Sequence, residues 1–221
     1  MKKCNLPTRK ETFEILKRYH VPSHIIKHSV TSAKLAVFLA QRLNDNGVQV
    51  DINLVDRACL LHDILRICDF SSSDYSRFEQ PVTEDDKAKW RRLKEKYSRL
   101  GHEYAAYKLL KAEYPLLALT IRKHKYMALL DEAEKPTTWE EKLVYYADKR
   151  VMHDKIVPLK ERLEEAHTRS ARQHSSTAQS KLNIAKVDSL LFRLEEQIFA
   201  NIGLNPLEVT NEYIDSHLKG A

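Results

Sequence analysis

Glycine is nearly missing. The 221 residues include four, Gly47, Gly101, Gly203 and Gly220, where average usage of about 7% would give several times more. Glycine supplies the positive-φ corners of hairpins and of loops that cradle phosphate, so a sandwich or barrel of many short strands is disfavoured. No two of the four stand at the spacing of a P-loop or of a GxGxxG dinucleotide fingerprint. Any phosphate chemistry would therefore have to rest on metal ions and side chains. Cysteine is sparse as well. Cys4, Cys59 and Cys68 are odd in number and form no CxxC pair, the pattern of reduced thiols, and the expected location is the cytoplasm. Long apolar runs are also lacking. Stretches such as LAVFLA fall far short of the ~18 residues of a membrane span. The basic start MKKCNLPTRKETF lacks the apolar core of a signal peptide, and no membrane partner is expected.

Charge and helical periodicity fill the space. Charged residues make up 31% and the formal net charge is +6, which favours anionic partners without requiring a nucleic acid. Thr8 with Glu11 three residues on is a capping-box pattern, and it opens a helix to about residue 19. Pro22 suits the first turn of a second helix over 22–43, with the stripe Ile26, Val30, Ala33, Val37 and Ala40. Residues 53–66 are apolar on most sides, with Leu54, Ala58, Leu61 and Leu65 on one stripe, as in a buried central helix. A loop rich in Ser and Asp covers 67–82. Further helices are expected from Thr83 to about 98, over 102–113, 116–126 and 139–153, within 155–200, and over 207–218. No segment alternates with period 2, so the fold class is all-α. Residues 1–155 are expected to form one domain, and 156–221 a helical extension packed on or beside it.

The strongest local signal is His62-Asp63. Burying two ionisable side chains is costly unless they are paired or bound to metal. Core hydrogen bonding would suffice for an isolated pair. Its neighbours argue for more. His28, His102, His124 and Asp148 each adjoin an apolar stripe on a different predicted helix, which is how metal sites are built inside helical bundles. His24, one turn before His28, is an alternative ligand.

The order H…HD…H…H…D, carried by His28, His62-Asp63 in LLHDILR, His102, His124 and Asp148 in YYADK, resembles the HD superfamily of metal-dependent phosphohydrolases in its HDIG-like form. The resemblance covers about residues 20–155. It implies an all-α core and a divalent ion held by His28, His62, Asp63 and Asp148. It further implies a second ion reached by Asp63, His102 and His124. Imidazole and carboxylate without thiolate suit Mn, Fe, Co, Ni or Zn, and Mg where water completes the shell. Such ions lower the pKa of water and stabilise the oxygens of an in-line displacement at phosphorus. The implied partner is a small phosphorylated molecule, a nucleotide or dinucleoside polyphosphate. Asp63 and Arg66 are the expected catalytic residues, and Arg66, Lys149 and Arg122 the expected substrate-binding cations.

The chain also departs from the family pattern. Leu65 stands where the HDIGK motif has glycine, and Arg66 where it has lysine, a fork in place of a point charge. An alternative reading follows: a catalytically weak metal- or nucleotide-binding regulatory module. The loop 67–82 could contribute specificity through Asp69, Tyr75 or Arg77. The dipeptide recurs as His153-Asp154, expected at the surface. The basic stretch 149–186, with Arg162, Arg169, Arg172 and Lys181, contains no aromatic residue on which a base could stack. It is expected to be a solvated helix face, and nucleic acid is not an expected partner.

Overall fold

The computed structural model describes residues 5–71, 75–76, 78–97, 99–173 and 177–217. Cys4, Arg77 and the side chain of Arg172 lie outside the described residues. The fold is all-α, with helices α1 (Arg9–Arg18), α2 (Ser23–Asp45), α3 (Ile52–Leu61), α4 (Glu84–Tyr97), α5 (His102–Leu110), α6 (Pro115–Arg122), α7 (Trp139–Asp148), α8 (Leu159–Gln173), α9 (Ala178–Ile202) and α10 (Asn211–His217). No described helix is long and apolar enough to cross a membrane.

Local sequence explains most helix starts. Thr8 and Glu11 form the expected capping box on α1. Thr138 and Glu141 form a second on α7, and Asp51 caps α3 through the Leu54 amide. Each cap satisfies amides that the first helical turn leaves without partners. Pro115 sits at the first turn of α6, where its missing N–H costs nothing. The α2–α3 connection is clamped by Asn44, which accepts from Val50 N at 2.7 Å and donates to Val50 O at 3.1 Å.

Helix α2 differs from its expected amphipathic form. The expected stripe residues Ile26, Val30 and Val37 are half-buried, whereas Leu35, Ala36, Phe38 and Leu39 are buried completely. The reason is position. Helices α3, α7, α9 and α10 and the short hairpin described next all pack on α2, so it has no single solvent face.

Two expected boundaries shift, and both matter for the site. Helix α3 ends at Leu61, so His62-Asp63 lies in the turn that follows it. Helix α7 ends at Asp148, not near 153. Residues Val151–Met152 (β1) and Lys155–Ile156 (β2) form a two-stranded antiparallel hairpin. His153 takes φ 59° at its tip, so the second His-Asp dipeptide is an exposed hairpin turn.

The C-terminal helices are tied to the rest of the molecule through Arg150, which is 1% exposed. Its guanidinium donates to Val157 O at 2.6 Å, to Glu195 on α9 at 3.0 Å and to Pro206 O at 3.0 Å, and it also engages the Tyr146 hydroxyl. Helix α9 packs on α2, on α7 and on the turn Tyr126–Leu130.

Candidate metal centre

Six side chains from five parts of the chain converge. His28 comes from α2, His62 and Asp63 from the turn after α3, His102 from the first residue of α5, His124 from just beyond α6, and Asp148 from the last residue of α7. Helix ends are suited to this role, because a side chain there can use a free carbonyl of the last turn to fix itself. His62 Nδ1 meets Cys59 O at 2.7 Å, and His124 Nδ1 meets Ile121 O at 2.5 Å. In both, a histidine ring bonds back to the carbonyl three residues before it at a helix end.

The Nδ1 partners assign the tautomers. Besides those two, His28 Nδ1 meets His153 O at 3.2 Å and His102 Nδ1 meets Asp69 Oδ2 at 2.5 Å. At His28, His62 and His124 the partner is a carbonyl, so each of those rings donates outward from Nδ1 and turns the Nε2 lone pair inward, while His102 Nδ1 faces both Asp69 and the Arg66 guanidinium. His28 Nε2 lies 3.0 Å from Asp148 Oδ1, and His102 Nε2 lies 3.0 Å from Asp63 Oδ1. His102 and His124 bring their Nε2 atoms to 3.1 Å of each other. His62 Nε2 stands 3.5 Å from Asp148 and 3.7 Å from Asp63, longer than a normal N–H···O bond. It is buried, and among the described residues it has no hydrogen-bond partner. Nitrogen lone pairs facing one another and facing carboxylates repel, unless protons or cations lie between them.

The residues present therefore fit divalent metal. Three overlapping groups have ligand atoms close enough to share an ion: His28, His62 and Asp63; His62, His124 and Asp148; and Asp63, His102 and His124. His24 belongs to none of them. It packs beside the rings of Phe70 and Phe78, which also touch each other, so it does not take the place of His28.

Electrostatics agree with the donor set. Burial alone would raise the Asp63 carboxyl, but the imidazoles of His62 and His102 hold it well below the usual range. Burial is likewise outweighed at Asp148, where Lys149, His28 and His62 hold the carboxyl down. Burial lowers His124. At His102 it is opposed by Asp63 and Asp69, which push that imidazole up to about 9. Both carboxylates thus stay ionised, and the proton that His102 carries without metal occupies the position a cation would take.

A cavity of about 1040 Å³ opens over the cluster. Arg66, half-exposed, reaches it beside Asp69 and His102. Lys149 also lines it, but its ammonium is held by Asp148 at 2.6 Å and by His124 O, and it lies over the Tyr145 ring. Arg122 is a correction. It does not line the cavity: its guanidinium pairs with Glu134 and covers Tyr104 and Tyr107. Leu65 also resolves differently from expectation. Its φ is −111°, a conformation open to any residue, and its side chain is fully buried in the hydrophobic core. It neither strains the motif nor lines the cavity.

Sequence reading named Asp69 only as a specificity residue of the loop and missed Glu103. Asp69 orients His102, and Glu103 stands 3.5 Å from the same ring on the cavity wall. Carboxylates that orient ligating histidines commonly raise their basicity. Only the three-residue spacing of Arg66 and Asp69 hinted at this, since Asp69 and His102 are 33 positions apart. Tyr75 belongs to an aromatic cluster with Phe78 and Trp90.

Comparison with curated proteins and with solved structures returned no match. The HD domain family model matches residues 25–152, more than half of the chain and the whole span from His28 to Asp148. The chain belongs to the HD-domain family.

Proposed function

We propose that this protein hydrolyses a small phosphate ester with the help of one or two divalent ions, a nucleotide or dinucleoside polyphosphate being the substrate class. HD domains are in general metal-dependent hydrolases, and the match to that family supports a reaction of that broad class. The observation that carries the reading at residue level is the buried, unpartnered Nε2 of His62, set among inward-facing imidazoles and two ionised carboxylates at one end of a large cavity. His28, His62, Asp63 and Asp148 would hold one ion, with Asp63 shared with a second held by His102 and His124. Bound metal would supply acidified water and charge neutralisation at phosphorus.

The chain's own residues do the rest. Asp63, held ionised, supplies the shared carboxylate. Arg66 reaches the cavity with its guanidinium 3.3 Å from Asp69 and 3.0 Å from His102 Nδ1, and its fork can turn onto a phosphate. Lys149 acts behind the ligands, fixing Asp148 and the His124 carbonyl, which makes it a positioning residue here.

The test is metal-analysed protein assayed with Mn²⁺ against an aryl phosphate and a panel of nucleotides and dinucleoside polyphosphates. His62→Ala and Asp63→Asn should each lose metal and reduce turnover by at least a hundredfold. Turnover that survives both substitutions would remove the proposal.

A further inference from the structure

The cavity extends well past the metal cluster. Its far wall is built by α8, α9 and the turn Tyr126–Leu130, all outside the span from His28 to His124 that carries most of the ligands. Leu163 and Ala166 of α8, Ile184 and Ala185 of α9, and Met127 give this wall an apolar surface. Arg162, Glu165, Arg169, Ser170, Ser180 and Lys181 line the same side of the cavity, and one hydrogen-bonded node stands among them. The Tyr126 hydroxyl donates to Asp188 Oδ1 at 2.6 Å, and His167 Nε2 lies 3.3 Å from that hydroxyl and 3.6 Å from the carboxylate. All three line the cavity. Among the described residues nothing donates to Asp188 Oδ2.

The node is held in fixed relation to the metal cluster. Tyr145 donates to Tyr126 O at 2.6 Å, and Tyr145 lies three residues before Asp148 on α7. Tyr126 itself follows His124 by two residues. A cavity of about 1040 Å³ is at the upper end of the range for small-molecule sites and larger than a bare phosphate or simple aryl phosphate needs.

We propose that this wall is a subsite for the sugar of a phosphorylated nucleoside, Asp188 accepting the vicinal hydroxyls while Tyr126 and His167 hold the carboxylate in place. The inference rests on the phosphate-ester reading for the direction of the ligand, phosphate towards Arg66 and organic group towards α9. A carboxylate with one oxygen already anchored and three lone-pair positions open suits two adjacent O–H donors. The apolar surface beside it suits a ring attached to that sugar, which favours a nucleoside over a free sugar phosphate.

The experiment is calorimetric binding to the full, Mn²⁺-loaded chain, so that it does not depend on turnover. The probes are adenosine monophosphate, its 2′,3′-dideoxy analogue and ribose 5-phosphate. Wild type should bind the ribonucleotide about tenfold or more tightly than the dideoxy analogue, the loss expected when a charged acceptor goes without its donors. Asp188→Asn and Tyr126→Phe should each bring that ratio close to one. Equal affinity for the two nucleotides in wild type, or an unchanged ratio in both variants, would overturn the proposal. Ribose 5-phosphate binding as tightly as the ribonucleotide would overturn its nucleoside half. Should one variant fail to fold, the wild-type ratio and the other variant decide. Ribose-dependent binding without hydrolysis of any ester would sink the hydrolase reading and leave this subsite standing. Hydrolysis without ribose dependence would do the reverse.

Discussion

Arg150 offers the most direct test of how the C-terminal helices are joined to the metal-binding part of the fold. Replacing it with Ala removes a buried guanidinium that serves Glu195, the Tyr146 hydroxyl and the carbonyls of Val157 and Pro206. Glu195, 13% exposed, is then left as a carboxylate without its cation. Breaking a buried ion pair from one side costs about 3–5 kcal/mol, because the remaining charge stays buried. For a chain of this size each kcal/mol is worth about 2–4 °C in Tm, so a drop of roughly 6–20 °C follows. Urea unfolding and calorimetry measure it. Arg150→Met combined with Glu195→Gln removes both charges and keeps much of the volume, and should recover part of the loss relative to Arg150→Ala. A loss below about 1 kcal/mol for Arg150→Ala, the range of an exposed pair, would refute the reasoning. So would a double variant no more stable than Arg150→Ala.

Other expectations follow from the site. His102 is raised to about 9 from its ordinary 6.5. Without metal, its stabilising contribution should be complete below about pH 6.5 and disappear as pH rises through about 9, seen as a falling Tm of the metal-free protein. Metal must displace that proton, so metal affinity measured by competition should rise by up to about tenfold per pH unit until about pH 9; a flat profile would refute this. Asp69→Asn should weaken metal binding about 10–100-fold, measured by chelator competition, while leaving the helical circular dichroism spectrum intact. Leu65→Gly should not restore a motif function. It should destabilise the fold by at least the about 2–5 kcal/mol of a buried Leu→Ala change, read by urea unfolding, with no gain in turnover per folded molecule.

Much of the fold was legible because its signals are local. The capping boxes at Thr8 and Thr138, the break at Gly101 and the start at Pro115 each act within one helical turn, and the helices begin within a residue or two of where those signals stand. The six residues of the H…HD…H…H…D order were legible for a different reason: their residue types are expensive in apolar surroundings, so their presence needs an explanation. What was illegible depends on neighbours far away in sequence. The burial of α2 on most sides cannot be read from its own periodicity, because α9 and α10 supply part of its cover from more than 130 residues downstream. Arg122 and Arg66 look equivalent as cations beside a ligand. They differ because Glu134 and two tyrosines capture Arg122, whereas Asp69 holds Arg66 at the cavity.

The missing glycine of the motif shows how a local departure can have a non-local resolution. Sequence alone allows Leu65 to be a blocked approach to phosphate. At φ −111° no glycine is required, and the side chain leaves the motif for the core. The turn after α3 therefore does two jobs with adjacent residues: His62 and Asp63 face the other residues of the cluster, while Ile64 and Leu65 bury themselves and anchor the turn. A ligand pair on a free loop would lose its geometry to chain entropy. Here the apolar pair beside it fixes the backbone, and the Nδ1 bond to Cys59 O fixes the ring. Substituting Leu for glycine at this position thus exchanges backbone freedom for packing, and the placement of His62 and Asp63 gains rigidity from the exchange.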